Sequence, residues 1–327
     1  MKEYRWAVLG CGVIAREMAE AMNKLGRSFS AVGNRTYEKA VTFANTYHIP
    51  KVYPDLHQMF TDPEIDIIYV ATPHNLHFPY VMEALKAGKH VLCEKAIMLN
   101  SRQLKEADAL AKEQQVILAE AMTLYHMPLF KELEKRIRKQ EFGDLRFVQM
   151  NFGSYKDYDM TNRFFSRSLA GGALLDIGVY ALSFVRWFLS KAPDQITSQV
   201  KLAPTGVDEQ AGILLMNPEG EMASVSMTLH AKQPKRGMAA FDKCYLEIYN
   251  YPRAQKAVIT YTEDGRQEEL TFGSTEDALC YEIRDMEAAV AGDEDAIKAM
   301  HLDYTTDVMA VMTKLRQDWE ITYPEEA

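Results

Sequence analysis

Two hydrophobic periods alternate along the first part of the chain. Trp6-Ala-Val-Leu9 is a short continuous apolar run that stops at Gly10. From Val13 to Leu25, the residues Val13, Ile14, Met18, Met22 and Leu25 recur at helical spacing, and Gly26 stands where a helix-ending glycine belongs. Phe29–Gly33 then predicts a second strand and Glu38–Tyr47 a second helix. Ile65–Ala71 is a β-branched run of the kind found in buried strands. Phe78–Ala87 predicts a helix ended by Gly88, and it is followed by a strand at His90–Cys93, a helix at Ser101–Gln114 and a strand at Val116–Ala121. Strands separated by helices of this length imply parallel crossovers, so residues 1–122 are expected to form one doubly wound α/β domain.

The pattern changes near Met122–Thr123. After a helix at Met127–Lys139, the segments Leu145–Phe152, Ile196–Leu202, Ala211–Met216, Met222–Leu229, Cys244–Tyr249 and Ala257–Tyr261 predict strands. Turn signals such as Asn217-Pro218-Glu219-Gly220 and Glu263-Asp264-Gly265 separate several of them, which points to an antiparallel sheet. Helices are expected at Leu174–Leu189, Glu276–Ala291 and Tyr304–Asp318. Residues 123–327 therefore read as a second, α+β domain with an open, mainly antiparallel sheet. Ile213–Met216 and Ala223–Leu229 carry apolar residues on both alternating sets, which suggests a sheet buried on two sides and a homo-oligomer, most simply a homodimer, formed through it.

Composition narrows the class. The 327 residues are 47% hydrophobic and 25% charged, with a net charge of −9, so no global basic field favours nucleic acid. The basic run at 131–139 is mixed with Glu132 and Glu134 and reads as a solvated helix face. The four cysteines, Cys11, Cys93, Cys244 and Cys280, form no CxxC pair and no zinc-ligand spacing. No metal is expected, and a reduced, cytoplasmic setting is the simplest reading. The N-terminus lacks the apolar stretch of a signal peptide. No apolar run approaching the ~20 residues of a membrane helix is apparent, so no membrane partner is expected.

Candidate chemistry begins at Gly10-Cys-Gly12-Val13-Ile14-Ala15, a G-x-G-x-x-A motif between a strand and a helix. Gly10 permits the tight turn, Gly12 lets backbone approach a pyrophosphate at the helix N-terminus, and Ala15 lets helix and strand pack closely. An NAD site usually ends its second strand on an acid. Here Asn34-Arg35-Thr36 supplies none, and Arg35 is suited to a 2′-phosphate, so NADP(H) is the expected preference with NAD(H) as the alternative. Thr72, Pro73 and Asn75 follow a buried strand at the sheet's carboxyl edge and are expected to line the nicotinamide ribose. His77 reads equally as cofactor contact, cap or packing residue.

The segment His90-Val-Leu-Cys93-Glu94-Lys95-Ala96 and the later Gly171-Gly172-Ala-Leu-Leu-Asp176-Ile-Gly-Val-Tyr180 add two further motifs in order. Together with the two earlier motifs, they resemble the glucose–fructose oxidoreductase / inositol dehydrogenase / MocA family, on the branch containing dimeric dihydrodiol and xylose dehydrogenases. The resemblance implies a Rossmann domain followed by an open-sheet domain. It implies Lys95 as catalytic lysine, Glu94 beside it at the cofactor, and Asp176 and Tyr180 from one helix face. Lys95 or Tyr180 would move the proton that accompanies hydride transfer, with Asp176 orienting. The family's proline after the lysine is Ala96 here, which predicts a less tightly held Lys95. Tyr125, His126, Asn162 and Arg163 are the candidate substrate contacts. The expected activity is NAD(P)-dependent oxidoreduction at a hydroxyl-bearing carbon of a sugar, polyol or cyclic diol. The alternative is a dinucleotide-binding sensor on the same fold.

Overall fold

The computed structural model describes residues 3–326 and divides into two compact units, 1–121 with 276–302, and 122–275 with 303–327. In the first unit, strands β1 (Trp6–Leu9), β2 (Ala31–Gly33), β3 (Lys51–Tyr53), β4 (Ile67–Val70), β5 (His90–Glu94) and β6 (Leu118–Ala121) form a parallel sheet in the order β3-β2-β1-β4-β5-β6. Helices α1 (Val13–Lys24), α2 (Tyr37–Tyr47), α3 (Leu56–Thr61), α4 (His77–Lys86) and α5 (Ser101–Glu113) connect them. All four residues of β1 and of β4 are buried, as both-face coverage requires. The strand order reverses between β1 and β4, so their carboxyl ends open a crevice at the centre of the sheet. The three-residue β3 is too short to leave a periodic signature and was not foreseen.

The C-terminal part of the chain divides differently from the sequence expectation. Helices α8 (Ala278–Val290) and α9 (Glu294–Ala299) belong to the first unit rather than to the second. Leu279, Ile283 and Met286 of α8 join a buried cluster with Met18 and Met22 of α1. The Trp6 indole donates to Glu287 (3.0 Å), and Lys24 pairs with Asp277 (2.5 Å). The apolar stripe of α8 marks it as a docking helix, but which sheet it covers depends on where the chain returns.

The second unit begins with α6 (Pro128–Arg138) and contains α7 (Val179–Phe188) and most of α10 (Leu302–Asp318). Its strands are β7 (Leu145–Gly153), β8 (Gln195–Leu202), β9 (Asp208–Met216), β10 (Met222–Thr228), β11 (Arg236–Phe241), β12 (Cys244–Tyr249), β13 (Lys256–Tyr261) and β14 (Gln267–Thr271). They form one eight-stranded sheet, β14-β13-β12-β11-β7-β10-β9-β8. It is antiparallel except where β10 lies parallel to β7, in register from Met222–Phe147 to Thr228–Gly153. β11 carries Gly and Ala where strands favour β-branched residues, and β14 is mostly polar, which is why neither was foreseen.

Burial alternates along the sheet. Ala223, Val225 and Met227 are buried while Ser224 and Ser226 are half-exposed, and Leu214 is 50% exposed between buried Ile213 and Leu215. The two-sided burial expected from sequence is therefore absent from the single chain. The buried face packs on α7, where a Cβ on Gly237 of β11 would fall 2.3 Å from the Phe184 ring. Phe130, Phe184 and Trp187 interlock there with centroids 5.0–6.1 Å apart. One stretch, Arg167–Phe188, does reach membrane-spanning length and mean hydropathy, contrary to the sequence expectation, but 83% of its most apolar window is buried inside the protein.

Candidate functional site

In the first unit, the glycine motif sits at the crevice. Gly10 has φ +109° and donates from its amide to Gly33 O (2.9 Å). A Cβ there would lie 2.4 Å from Ala71 O, so the turns after β1 and β4 touch backbone to backbone. A Cβ on Gly12 would meet nothing within 4 Å. No side chain caps α1, its first turn holds no acid, and Val13 is 73% exposed beside Ile14. An uncapped, acid-free helix start under open backbone is what a pyrophosphate requires. At the end of β2, Arg35 is exposed, and the Asn34 amide donates to Thr36 O (2.8 Å), which closes the loop rather than reaching outward.

Beyond β4, the hydroxyl of Thr72 is buried with no hydrogen-bond partner, beside exposed Pro73 and half-buried Asn75. An orphaned buried hydroxyl costs about 1–3 kcal/mol and fits a polar ligand group such as a ribose hydroxyl. His77 has the opposite character. It is fully buried, with Nε2 2.8 Å from Thr72 O and Nδ1 3.0 Å from Ala96 O and 3.2 Å from Ile97 O. Its place is to hold two loops together, and it offers no face to a cofactor. Burial holds its pKa below the ordinary histidine range.

Those loops include Lys95, half-buried immediately after β5. His74 Nε2 lies 3.2 Å from Lys95 O, Glu120 accepts from Ile97 N (3.0 Å), and residues Ala96–Leu99 are buried. The Lys95–Ala96 peptide is cis. The loose lysine expected from the missing proline is thus corrected, because side chains from the β4 and β6 ends grip the loop instead. Glu94 is buried and accepts from the Tyr69 hydroxyl (2.5 Å), so its carboxylate is held inside the unit.

The second unit holds the other motif. The single helix expected at Leu174–Leu189 opens instead with a π-helical turn, Leu174–Gly178, a form frequent at functional sites. It carries Asp176, which is buried, and leads into Tyr180 at the start of α7, which is half-buried with its ring 6.1 Å from that of Phe152. Arg163 reaches this turn, with Nη2 3.5 Å from Asp176 Oδ1 and its guanidinium 4.3 Å over the Phe164 ring. Asn162 accepts from the amides of Phe164 (2.9 Å) and Phe165 (3.2 Å), so it shapes the turn that presents Arg163 and is not itself extended toward a substrate. Tyr125 and His126 are 2% and 1% exposed, and the Tyr125 ring packs edge-on against Tyr304 (6.1 Å). Neither presents surface for the substrate contact expected of it.

Asp208 was missed. It is fully buried, its Oδ2 accepts from Leu174 N (2.6 Å) at the start of the π turn, and its Oδ1 has no partner. Gly172, at φ +125°, gives it room, since a Cβ there would fall 2.3 Å from Oδ1. The Tyr323 hydroxyl donates to Gly171 O (2.6 Å) from the chain's last turn. The glycine pair and the turn behind it are clamped by residues 34 and 152 positions away along the chain, and no local pattern announces that pairing.

Burial pushes the Asp208 carboxyl from 3.8 up to about 7. The folded state therefore holds this proton more tightly than the unfolded chain. Its contribution to stability is present at low pH and falls as pH rises from about 4 to 7. Asp208→Asn keeps an acceptor for Leu174 N–H without the charge. Relative to that variant, the native protein is expected to lose up to a few kcal/mol between pH 4 and 7, read by urea unfolding. Parallel pH curves for the two proteins would refute the buried-carboxyl account.

Comparison with known proteins assigns the two units to a family. Residues 4–122 match the family model described as an oxidoreductase family NAD-binding Rossmann fold, and residues 130–249 match the Gfo/Idh/MocA C-terminal domain. The chain is 33% identical over 259 residues to a trans-1,2-dihydrobenzene-1,2-diol dehydrogenase of Xenopus laevis, covering 78% of each chain. It is 34% identical over 250 residues to the human enzyme of that name, covering 75% of this chain and 74% of that one. A solved 3-ketoreductase from Actinomadura kijaniata, in complex with NADP and TDP-benzene, shares the fold with a TM-score of 0.84 at 21% identity, over 97% and 98% of the two chains. With both domains matched, the chain belongs to the Gfo/Idh/MocA family and is an NAD(P)-dependent oxidoreductase.

Proposed function

We propose that the protein moves a hydride between NADP(H) and a hydroxyl-bearing carbon of a sugar, polyol or cyclic diol. The names of its relatives favour a cyclic 1,2-diol among these. The observation that carries the reading is the carboxyl edge of the parallel sheet. The open backbone at Gly12, the unpartnered Thr72 hydroxyl and the clamped Lys95 follow β1, β4 and β5, three adjacent strands. Gly10, Gly12, Val13 and Ile14 would hold the pyrophosphate, Thr72, Pro73 and Asn75 the nicotinamide ribose, and Arg35 a 2′-phosphate. The nicotinamide supplies or accepts the hydride. Lys95 and Tyr180 are the acid–base groups: in reduction one of them protonates the developing alkoxide, and in oxidation it takes the hydroxyl proton. Asp176, paired with Arg163, orients this machinery.

The test is a panel of sugars, polyols and cyclic diols with NADP and with NAD, following reduced-nicotinamide absorbance. Turnover of none of them with either cofactor counts against the reading. Cofactor choice has its own expected outcome. Arg35→Ala should weaken NADP binding by roughly tenfold or more and leave NAD binding nearly unchanged, since a charge-assisted contact of about 1.5–3 kcal/mol is lost only with the 2′-phosphate. Tighter binding of NAD than of NADP by the native protein refutes the preference.

We further propose a cytoplasmic homo-oligomer, most simply a homodimer, formed through the exposed sheet face that bears Leu214, Ser224 and Ser226. Light scattering that reports a monomer at micromolar concentration counts against it.

A further inference from the structure

We propose that the surface around Asp176 and Tyr180 receives an anionic substrate, one carrying a carboxylate or phosphate group, with Lys156 and Lys235 as its receptors. This rests on the oxidoreductase reading above and deepens it by naming a substrate class.

The observation is a set of cations gathered around the rings that border the π turn. The Lys235 ammonium lies 5.2 Å from the centre of the Phe152 ring, which in turn stands 6.1 Å from the ring of Tyr180 and 5.7 Å from that of Tyr251. On the other side, the Lys156 ammonium and the Arg163 guanidinium are each 4.3 Å from the Phe164 ring centre, and Arg163 reaches Asp176. The sequence scatters these cations over 80 positions. The sheet collects them, because Lys156 follows β7 and Lys235 precedes β11, its neighbour.

Neither lysine has an acid for a partner among the described residues, and the contact recorded for each ammonium is a ring face. Lys235 is exposed and Lys156 half-buried, so the cations stand at the surface; partial desolvation, and then the like charges of Lys156 and Arg253, lower the pKa of Lys235. Most basic side chains elsewhere in this chain sit against carboxylates, as Lys201 does with Glu209 (2.7 Å) and Arg186 with Asp307 (2.6 Å). Like charges held together without a counter-ion raise the free energy of the empty protein, and an anion entering the cluster relieves it. The aromatic faces hold the ammonium groups in place while leaving their hydrogen-bond donors unspent.

A second observation points the same way. The Tyr251 hydroxyl is fully buried and has no hydrogen-bond partner, and burial above all holds its pKa well above the ordinary tyrosine range. An unspent donor beside the proposed proton-transfer tyrosine suits an oxygen-rich ligand. Asp176 accepts from Arg163 (3.5 Å), so the acid at this site has a cation beside it.

The experiment compares three matched probes, glucose, glucuronate and glucose 6-phosphate, by calorimetric binding to the NADP-loaded protein. At least one anion should bind about tenfold tighter than glucose. That ratio should fall about tenfold in Lys156→Gln and in Lys235→Gln, and return in Lys235→Arg. Preference for glucuronate assigns a carboxylate, and preference for glucose 6-phosphate a phosphate. Binding of neither anion above glucose, or a preference that survives the Lys156→Gln/Lys235→Gln double variant, overturns the proposal. Because binding is read without turnover, lysine-dependent anion binding with no hydride transfer would support this site while overturning the proposed reaction.

Discussion

Lys95→Met is expected to lower kcat by about 10²–10⁴-fold, the range for loss of a positioned acid–base group. The methionine stem fills similar space, so the fold should persist. His74, His77 and Glu120 hold the loop through its backbone, and those contacts do not depend on the identity of residue 95. Lys95→Arg should not restore activity, since a guanidinium does not give up its proton in the working range. The measurement is steady-state turnover on the best substrate from the panel, together with its pH profile. If Lys95 is one of the titrating groups, one limb of the profile disappears in the variant. Retention of most of the native kcat would remove Lys95 from the chemistry and leave Tyr180 to carry it.

The second large effect separates the two glycines of the first motif. Gly10→Ala places a Cβ 2.4 Å from one backbone oxygen and at a φ of +109°. That oxygen, and the carbonyl carbon of Ala71 at 2.8 Å, are backbone rather than the end of a flexible side chain, so the turns after β1 and β4 must part. Strain and overpacking together cost roughly 2–6 kcal/mol. The thermal midpoint should drop by many degrees, and cofactor binding should go with it. Gly12 has an ordinary φ of −75° and open space around its Cβ position. Gly12→Ala should keep the native midpoint and still lose affinity for NADP, because the added methyl stands where the pyrophosphate approaches. An unchanged midpoint in Gly10→Ala would contradict the steric account. Normal NADP binding by Gly12→Ala would move the pyrophosphate elsewhere.

Much of the first unit was legible because its rules are local. A strand ending on Gly10, a helix without a cap and a β-branched run before Thr72 each declare themselves within a dozen residues. The small Ala15 is fully buried, as close helix–strand packing demands. The misreadings share a different cause. His77 is a residue type able to bind ligands, and sequence does not reveal that tertiary packing has engaged both of its ring nitrogens. Asn162 looked like a substrate contact and instead caps its own turn. Asp208 looked like nothing, because its partner, the amide of Leu174, is 34 positions away.

By itself, the sequence determined an α/β unit followed by an α+β unit, the dinucleotide motif, and the residue types of a hydride-transfer site. Periodicity and glycine placement encode those, since each acts over one turn of helix or one strand. Only the tertiary structure decided that α8 returns to the first unit, that the Lys95 loop is gripped without its proline, and that Asp208 and Tyr323 clamp the turn bearing Asp176. It also set Lys235 over the Phe152 ring and Lys156 over the Phe164 ring. These are contacts between residues distant along the chain. They follow from which strands pair and which faces are buried, and no local pattern carries that information.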